Sequence, residues 1–165
     1  MTRRDMAANF AERGYAKGAE IGVEQGLFSE TLCQQIPGLS LLAVDVWTVK
    51  PGYRRHVTQP ELDRFERLAR MRLERYGVTV VKGLSVDVAK LVSDASLDFA
   101  YIDADHSEPE VKADIAAWLP KVRSGGAMAG HDWNLLGVEK VVRSFAESRV
   151  FLTNERSPSW WWIRG

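Results

Sequence analysis

Apolar residues fall along this chain in two rhythms. Short runs that are apolar at successive positions, bounded by glycine or acidic residues, occur at 18–23 (GAEIGV), 39–46 (LSLLAVDV), 78–83 (VTVVKG), 97–104 (LDFAYIDA) and 125–132 (GGAMAGHD). Runs of that length and composition predict strands covered on both faces. Between them the pattern takes the helical period, at Leu27–Gln35, Pro60–Tyr76, Val86–Ser93, Pro109–Pro120 and Val138–Ser148. Pro60 and Pro109 suit the first turn of a helix, and Gly77 suits a C-terminal stop. Within 60–76, Leu62, Phe65, Leu68 (or Ala69) and Leu73 share one stripe, which leaves the arginines and glutamates to solvent.

Strands alternating with helices predict an α/β fold, a doubly wound and mostly parallel sheet with right-handed crossovers and helices on both faces. The last two apolar stretches, RVFLT and SWWWIRG, have only the turn-like NERSPS between them. They predict an antiparallel hairpin at one edge, bringing the sheet to seven strands. Strand alternation sends Trp160 and Trp162 to one face and Trp161 to the other. Residues 1–16 read as an N-terminal helical segment, and the whole chain, 1–165, as a single domain.

Bulk composition narrows the function classes. Lysine plus arginine matches aspartate plus glutamate, 22 against 22, so no general field draws nucleic acid or an anionic membrane. The single cysteine, Cys33, excludes a disulfide framework and reads as a small core residue. No apolar run approaches the ~20 residues of a membrane span. The first residues, MTRRDMAANFAERG, hold no continuous apolar stretch, so a soluble, cytoplasmic protein is expected.

In open sheets of this kind ligands bind beyond the carboxyl ends of the strands. Five strand ends here carry chemistry: Gly22, Glu24 and Gly26; Asp45; Gly83, Leu84 and Ser85; Asp103, Asp105 and His106; His131 and Asp132. Gly22 and Gly26 bracket a strand-to-helix turn where backbone can approach a ligand closely. The turn is not G-x-G-x-x-G, which disfavours a dinucleotide. Asp45 closes the second strand, where an acid can accept from both hydroxyls of a ribose. Ser85 either borders a base or caps the next helix. Asp103 and Asp132 admit two readings, a shared cation site or helix caps and cofactor hydrogen bonds.

The ordered set GAEIGVEQG, an acid closing strand two, YIDADH closing strand four and SGGAMAGHDW closing strand five resembles the class I S-adenosylmethionine-dependent methyltransferases. The likeness is to the small O-methyltransferase branches that include the catechol, caffeoyl-CoA and antibiotic-sugar types. It covers the chain from about Gly18 to the closing hairpin, and it implies a Rossmann-like sheet. It also implies that Glu20, Gly22 and Gly26 line the methionine part of the donor, Asp45 its ribose, and Leu84 with Ser85 its adenine. Asp103 is placed beside the donor and, with Asp132, around Mg2+ or another divalent cation; His131, beside Asp132, reads from its position either as a further metal ligand or as a packed strand-end histidine. His106 occupies the slot of the catechol-type lysine base. The sequence departs from those enzymes in having His131-Asp132 where they carry Asp-Asn, histidine in the lysine slot, and no long covering segment ahead of the first strand.

These expectations point to an enzyme moving a methyl group to a hydroxyl of a small molecule, sugar-like or phenol-like. Asp103 and His106 are its expected catalytic residues. Nucleic acid and membrane are not expected as partners, and monomer and homodimer both remain open. Two further readings stand: a cofactor-binding module without catalysis, and a nicotinamide-dependent oxidoreductase. Segment 47–60, with Pro51, Gly52, Tyr53, Arg54, Arg55 and His56, is expected as a lid loop. Trp133 is expected to wall the acceptor pocket.

Overall fold

Alternation within single strands decides the architecture. In β4 (Leu97–Ile102), Phe99 and Tyr101 turn to one face, while Ala100 and Ile102 turn to the other, and all four are buried. A strand buried on both sides needs helices on both sides, and it has them. The computed structural model describes residues 1–50 and 56–165. The other strands are β1 (Lys17–Ile21), β2 (Ser40–Asp45), β3 (Thr79–Lys82), β5 (Val122–Gly130), β6 (Phe151–Leu152) and β7 (Trp160–Ile163).

They form one seven-stranded sheet in the order β3-β2-β1-β4-β5-β7-β6. Strands β1 to β5 pair in parallel, and β7 and then β6 add antiparallel at one edge. The helices are α1 (Arg3–Glu12), α2 (Leu27–Gln35), α3 (Gln59–Leu73), α4 (Ser85–Ala89), α5 (Glu108–Trp118) and α6 (Leu136–Phe145). On one face Val88, Ile115, Trp118, Val138 and Val142, from α4 to α6, pack on Ala100, Ile102, Met128, Trp160 and Trp162. On the other, Met6 and Phe10 of α1 and Phe28 and Leu32 of α2 pack on Phe99, Tyr101, Ala127 and Trp161. The three hairpin tryptophans divide between the faces as alternation requires. A third cluster fixes α3 through Ala69 and Leu73, against Val23, Ala43 and Trp47. The stripe therefore runs through Ala69 rather than Leu68.

Several boundaries differ from expectation, and three are instructive. α4 ends at Ala89 rather than Ser93: the N–H groups of Leu91 and Val92 donate to the i−3 carbonyls of Val88 and Ala89, and Leu91 is left 85% exposed. β5 begins at Val122 and stops at Gly130, because Asp132 adopts a left-handed φ of 55° that ends the extended chain. α3 ends at Leu73 in a 3-10 turn, Glu74–Tyr76, closed by Gly77.

From β1 the chain winds outward to β2 and β3, then returns to place β4 on the other side of β1. That reversal opens a crevice at the carboxyl ends of β1 and β4.

Candidate active site

The sheet's own ladder delivers the strand tips to that crevice. Gly22 N–H donates to Val44 O at 2.8 Å, Asp103 N–H to Ile21 O at 2.7 Å, Gly83 N–H to Asp45 O at 3.0 Å and His131 N–H to Ile102 O at 3.0 Å. Each site residue is thus one more rung on the parallel pairing, and sheet register sets its position. Gly22, at φ 90°, packs flat against the backbone of β4's tip. A Cβ added there would lie 2.1 Å from Asp103 O, a distance only glycine avoids.

Asp45 is held rigidly. One carboxylate oxygen accepts from Glu24 N–H at 2.8 Å and the other from Trp47 N–H at 3.0 Å. Both donors belong to left-handed residues, Glu24 at φ 51° and Trp47 at φ 38°, so the carboxylate steadies two strained turns. Trp47 completes the brace, its indole N–H donating to Glu24 O at 2.8 Å. Glu20, one residue before the end of β1, is 1% exposed and receives a hydrogen bond from Ser29. Burial pushes its carboxyl up to about 8.

Asp103, His106, His131 and Asp132 converge beside it. His106 Nε2 lies 3.0 Å from Asp132 Oδ2 and 3.6 Å from Asp103 Oδ1. Neither approach is aligned as a hydrogen bond, so this buried ring nitrogen has no directed partner. Asp103 and Asp132 nonetheless push the His106 ring up to about 9. His131 Nδ1 lies 3.2 Å from Asp132 Oδ2 and 3.7 Å from Asp103 Oδ1. Burial opposes charge on His131, but the two acids outweigh it and raise its pKa. Asp103 is itself raised by burial, whereas the two histidines hold Asp132 well below the usual carboxylate range. Asp103, His131 and Asp132 each present a ligand atom within 4.8 Å of the others. Two carboxylate oxygens and an imidazole nitrogen suit a divalent cation.

Two hollows meet at this point. The first, about 180 Å³, is lined by Asp45, Trp47, Leu84, Ser85 and Asp114. The second, about 420 Å³, is lined by Arg3, Glu20, Phe28, His106 and His131. Gly22, Glu24, Asp103 and Ala104 line both. The result is one groove across the β1–β4 crevice, half bordered by apolar walls and half by ionisable groups.

Most expected site residues therefore gather in one place, Ser85 among them, while Gly26 and Trp133 line neither hollow. Gly26 is the N-cap of α2, and its missing side chain makes room for Ala69 and Leu73 of α3. Ser85 is not a cap, that position being Leu84. Its hydroxyl accepts from Trp118 Nε1–H at 2.8 Å and bonds Asp114. Trp133 is 9% exposed, packed in the core under Arg143, and does not wall the groove. Of the expected lid, Trp47 to Lys50 and Val57 line the first hollow and His56 is exposed, while Pro51, Gly52, Tyr53, Arg54 and Arg55 lie outside the described residues. Lys50 pairs with Asp105, in the β4–α5 turn, at 2.8 Å and with Glu110 of α5 at 2.7 Å.

Among the lining residues that sequence did not single out are Arg3 and Asp114. Asp114 is 5% exposed and lines the first hollow, and burial pushes its carboxyl up to about 6. An acid on the inward stripe of α5, between Val111, Ile115 and Trp118, was the available signal. No helix among the described residues is long and apolar enough to cross a membrane.

A family model described as a methyltransferase domain matches residues 19–133, which include every strand tip of the groove. No curated protein gives a significant match. Among solved structures, the chain is similar to an O-methyltransferase from Bacillus cereus in complex with SAH, at 16% identity over 98% of this chain and 80% of that one, with a TM-score of 0.71. It is likewise similar to the O-methyltransferase TomG from Streptomyces achromogenes, involved in tomaymycin synthesis and in complex with SAM. That match has 16% identity over 98% of this chain and 79% of the other, with a TM-score of 0.72. Those likenesses establish the shared fold, and the family model, spanning well over half of the sequence, establishes descent. The chain belongs to the methyltransferase-domain family, and its sheet is the one on which class I S-adenosylmethionine-dependent O-methyltransferases are built.

Proposed function

We propose that this protein transfers a methyl group from S-adenosylmethionine to a hydroxyl of a small molecule, sugar-like or phenol-like. The observation that carries the proposal is the single groove in which Gly22, Asp45 and Asp103 line one hollow while Gly22 and Asp103 also border the second. A nucleoside joined to an amino acid is a two-part ligand of that shape. The structural neighbours crystallised with SAH and SAM support the same donor.

In this reading the adenosine occupies the first hollow. Asp45 keeps a free lone pair on each oxygen for the ribose hydroxyls, since its backbone partners use one apiece. Leu84 borders the adenine, and Asp114 is the acceptor for its amino group, because Ser85 is already engaged by Trp118. The methionine part passes Gly22 toward Glu20, which brings the sulfonium to the junction where Asp103 and His106 face the second hollow.

The acceptor oxygen attacks the methyl carbon in line. The S–CH3 bond breaks with its electron pair to sulfur, and the hydroxyl proton leaves to a base. Holding the two reactants in line is the main contribution the protein makes to such a step. His106 faces the second hollow and takes the proton at Nε2 in its neutral form, which Asp103 and Asp132, by raising the ring to about 9, make the minor one at neutral pH. Asp103, His131 and Asp132 are the residues that would hold a divalent cation, with His106 at its margin. Such an ion would lower the pKa of an acceptor hydroxyl bound to it.

The test is thermal and kinetic. Saturating S-adenosylhomocysteine should raise the melting temperature of the wild-type protein, and Asp45→Ala should shrink that rise. Methyl transfer to a panel of hydroxylated acceptors, with Mg2+ or with EDTA, then reads the chemistry. A melting transition unmoved by the nucleoside rejects the donor. Turnover equal under EDTA and Mg2+ rejects the cation.

A further inference from the structure

α1 lies ahead of the region shared with the methyltransferase family, so nothing in the family match accounts for its residues. Its position is well determined. Thr2 and Asp5 cap it reciprocally, and Met6, Ala7 and Phe10 are fully buried against α2 and the sheet. Arg3 stands on the same stripe, one turn ahead of Met6 and Ala7, where the helix overhangs the tips of β1 and β4. Its backbone N–H donates to Glu155 at 2.7 Å, which ties down the start of the helix. Its guanidinium lies over the Phe28 ring, 5.1 Å from the centroid, and lines the second hollow.

The other half-buried arginines of the described residues are engaged: Arg72 and Arg123 pair with carboxylates, and Arg164 donates to the main-chain carbonyls of Leu119 and Pro120. Among the described residues Arg3 has no carboxylate partner, although it is partly buried in a wall shared with Glu20, His106 and His131. An arginine fixed over an aromatic ring, with its fork unpaired and turned to a groove, is built to receive a planar anion in two parallel hydrogen bonds. Glu20 lines the same hollow and Gly22 leads into it from the first. The hollow therefore offers one basic and one acidic group to whatever extends past Gly22.

We infer that Arg3 binds the α-carboxylate of the methyl donor's amino-acid tail, with Glu20 serving the α-ammonium. This rests on the donor assignment above and adds a binding residue from outside the family region. The zwitterion is thereby gripped at both charges, and the tail is oriented so that the sulfonium presents its methyl group toward His106. A carboxylate on the acceptor has the same chemistry, and the experiment separates the two sources.

Calorimetric titration of wild-type, Arg3→Gln and Arg3→Lys proteins is performed with S-adenosylhomocysteine and with 5′-methylthioadenosine, which lacks the amino-acid tail. Arg3→Gln should weaken S-adenosylhomocysteine binding by roughly 10- to 100-fold, the range for losing a charge-assisted pair. It should leave 5′-methylthioadenosine within about twofold, and Arg3→Lys should recover part of the loss. The helix anchor survives these changes, because the main-chain N–H makes the bond to Glu155. Equal weakening of both nucleosides would assign Arg3 a structural role and overturn the inference. So would an unchanged affinity for S-adenosylhomocysteine in Arg3→Gln, including the case in which only the KM of a carboxylated acceptor rises. Wild-type protein binding neither nucleoside would remove the donor assignment as well, whereas wild-type binding with no effect of Arg3→Gln removes this inference alone.

Discussion

Gly22→Ala is the sharpest perturbation of the groove. Its Cβ would lie 2.1 Å from Asp103 O, 2.3 Å from Asp103 C and 2.7 Å from Ala104 N. All three are backbone atoms, and contacts to carbon normally settle near 3.5 Å. The tips of β1 and β4 must therefore separate by about an ångström or more, against the Asp103 N–H bond to Ile21 O that joins them. Overpacking of this kind costs roughly 1–3 kcal/mol. Holding a non-glycine residue at φ 90° adds about 1–3 kcal/mol. A total of roughly 2–6 kcal/mol lies at or below the low end of the roughly 5–15 kcal/mol stability of an ordinary domain, so the variant should fold but melt about 4–24 °C lower. Function should suffer more, because an ångström's misplacement of a reacting geometry costs about 100-fold. Gly26→Ala is the internal control. It carries a similar φ of 75°, yet its Cβ meets its nearest neighbours, Leu73 Cδ1 and Ala69 Cα, only at 3.2 and 3.3 Å. Calorimetric melts and S-adenosylhomocysteine titrations of both variants decide the matter. If Gly22→Ala melts and binds like wild type, or Gly26→Ala is the more damaged, the close-approach argument is wrong.

Three further outcomes are expected. Glu20, raised to about 8 by burial, binds its proton more tightly folded than unfolded. Its contribution is full below about pH 4.5 and falls by ~1.4 kcal/mol per unit as pH climbs toward 8; urea melts of Glu20→Gln should lack that decline. His106→Ala should lower methyl transfer about 10²- to 10⁴-fold while S-adenosylhomocysteine still raises the melting temperature, and unchanged turnover would exclude it as the base. Trp118→Phe removes the indole N–H that engages the half-buried Ser85 beside the first hollow, so chemical denaturation should register a loss of about 0.5–1.5 kcal/mol.

The central β1–β4 pair and the acids at the strand tips were legible in the sequence because they follow from local chemistry. A strand buried on both faces is apolar at every position, so GAEIGV and LDFAYIDA stand out wherever they occur, and the first polar residue after each run marks its carboxyl end. Asp103 and Asp45 were readable for that reason. Gly26 was read as ligand-facing because a glycine in a turn looks the same in sequence whether it makes room for a ligand or for Leu73 of α3. Ser85 lines the first hollow, and its engagement by Trp118, 33 residues away on α5, spans a separation no local pattern covers.

What the sequence determined alone is the sheet, its winding and the set of strand ends that must converge, since these depend on periodicity and on the polar break closing each run. The tertiary structure decided which groups share a wall. Arg3 and Asp114 come to the groove from α1 and from α5, helices held on the sheet by the buried Phe10 and Trp118. The physical reason is that strand order and helix docking are fixed by burial summed over the whole chain. Side-chain neighbourhoods far apart in sequence emerge from that sum and leave no mark on any single stretch.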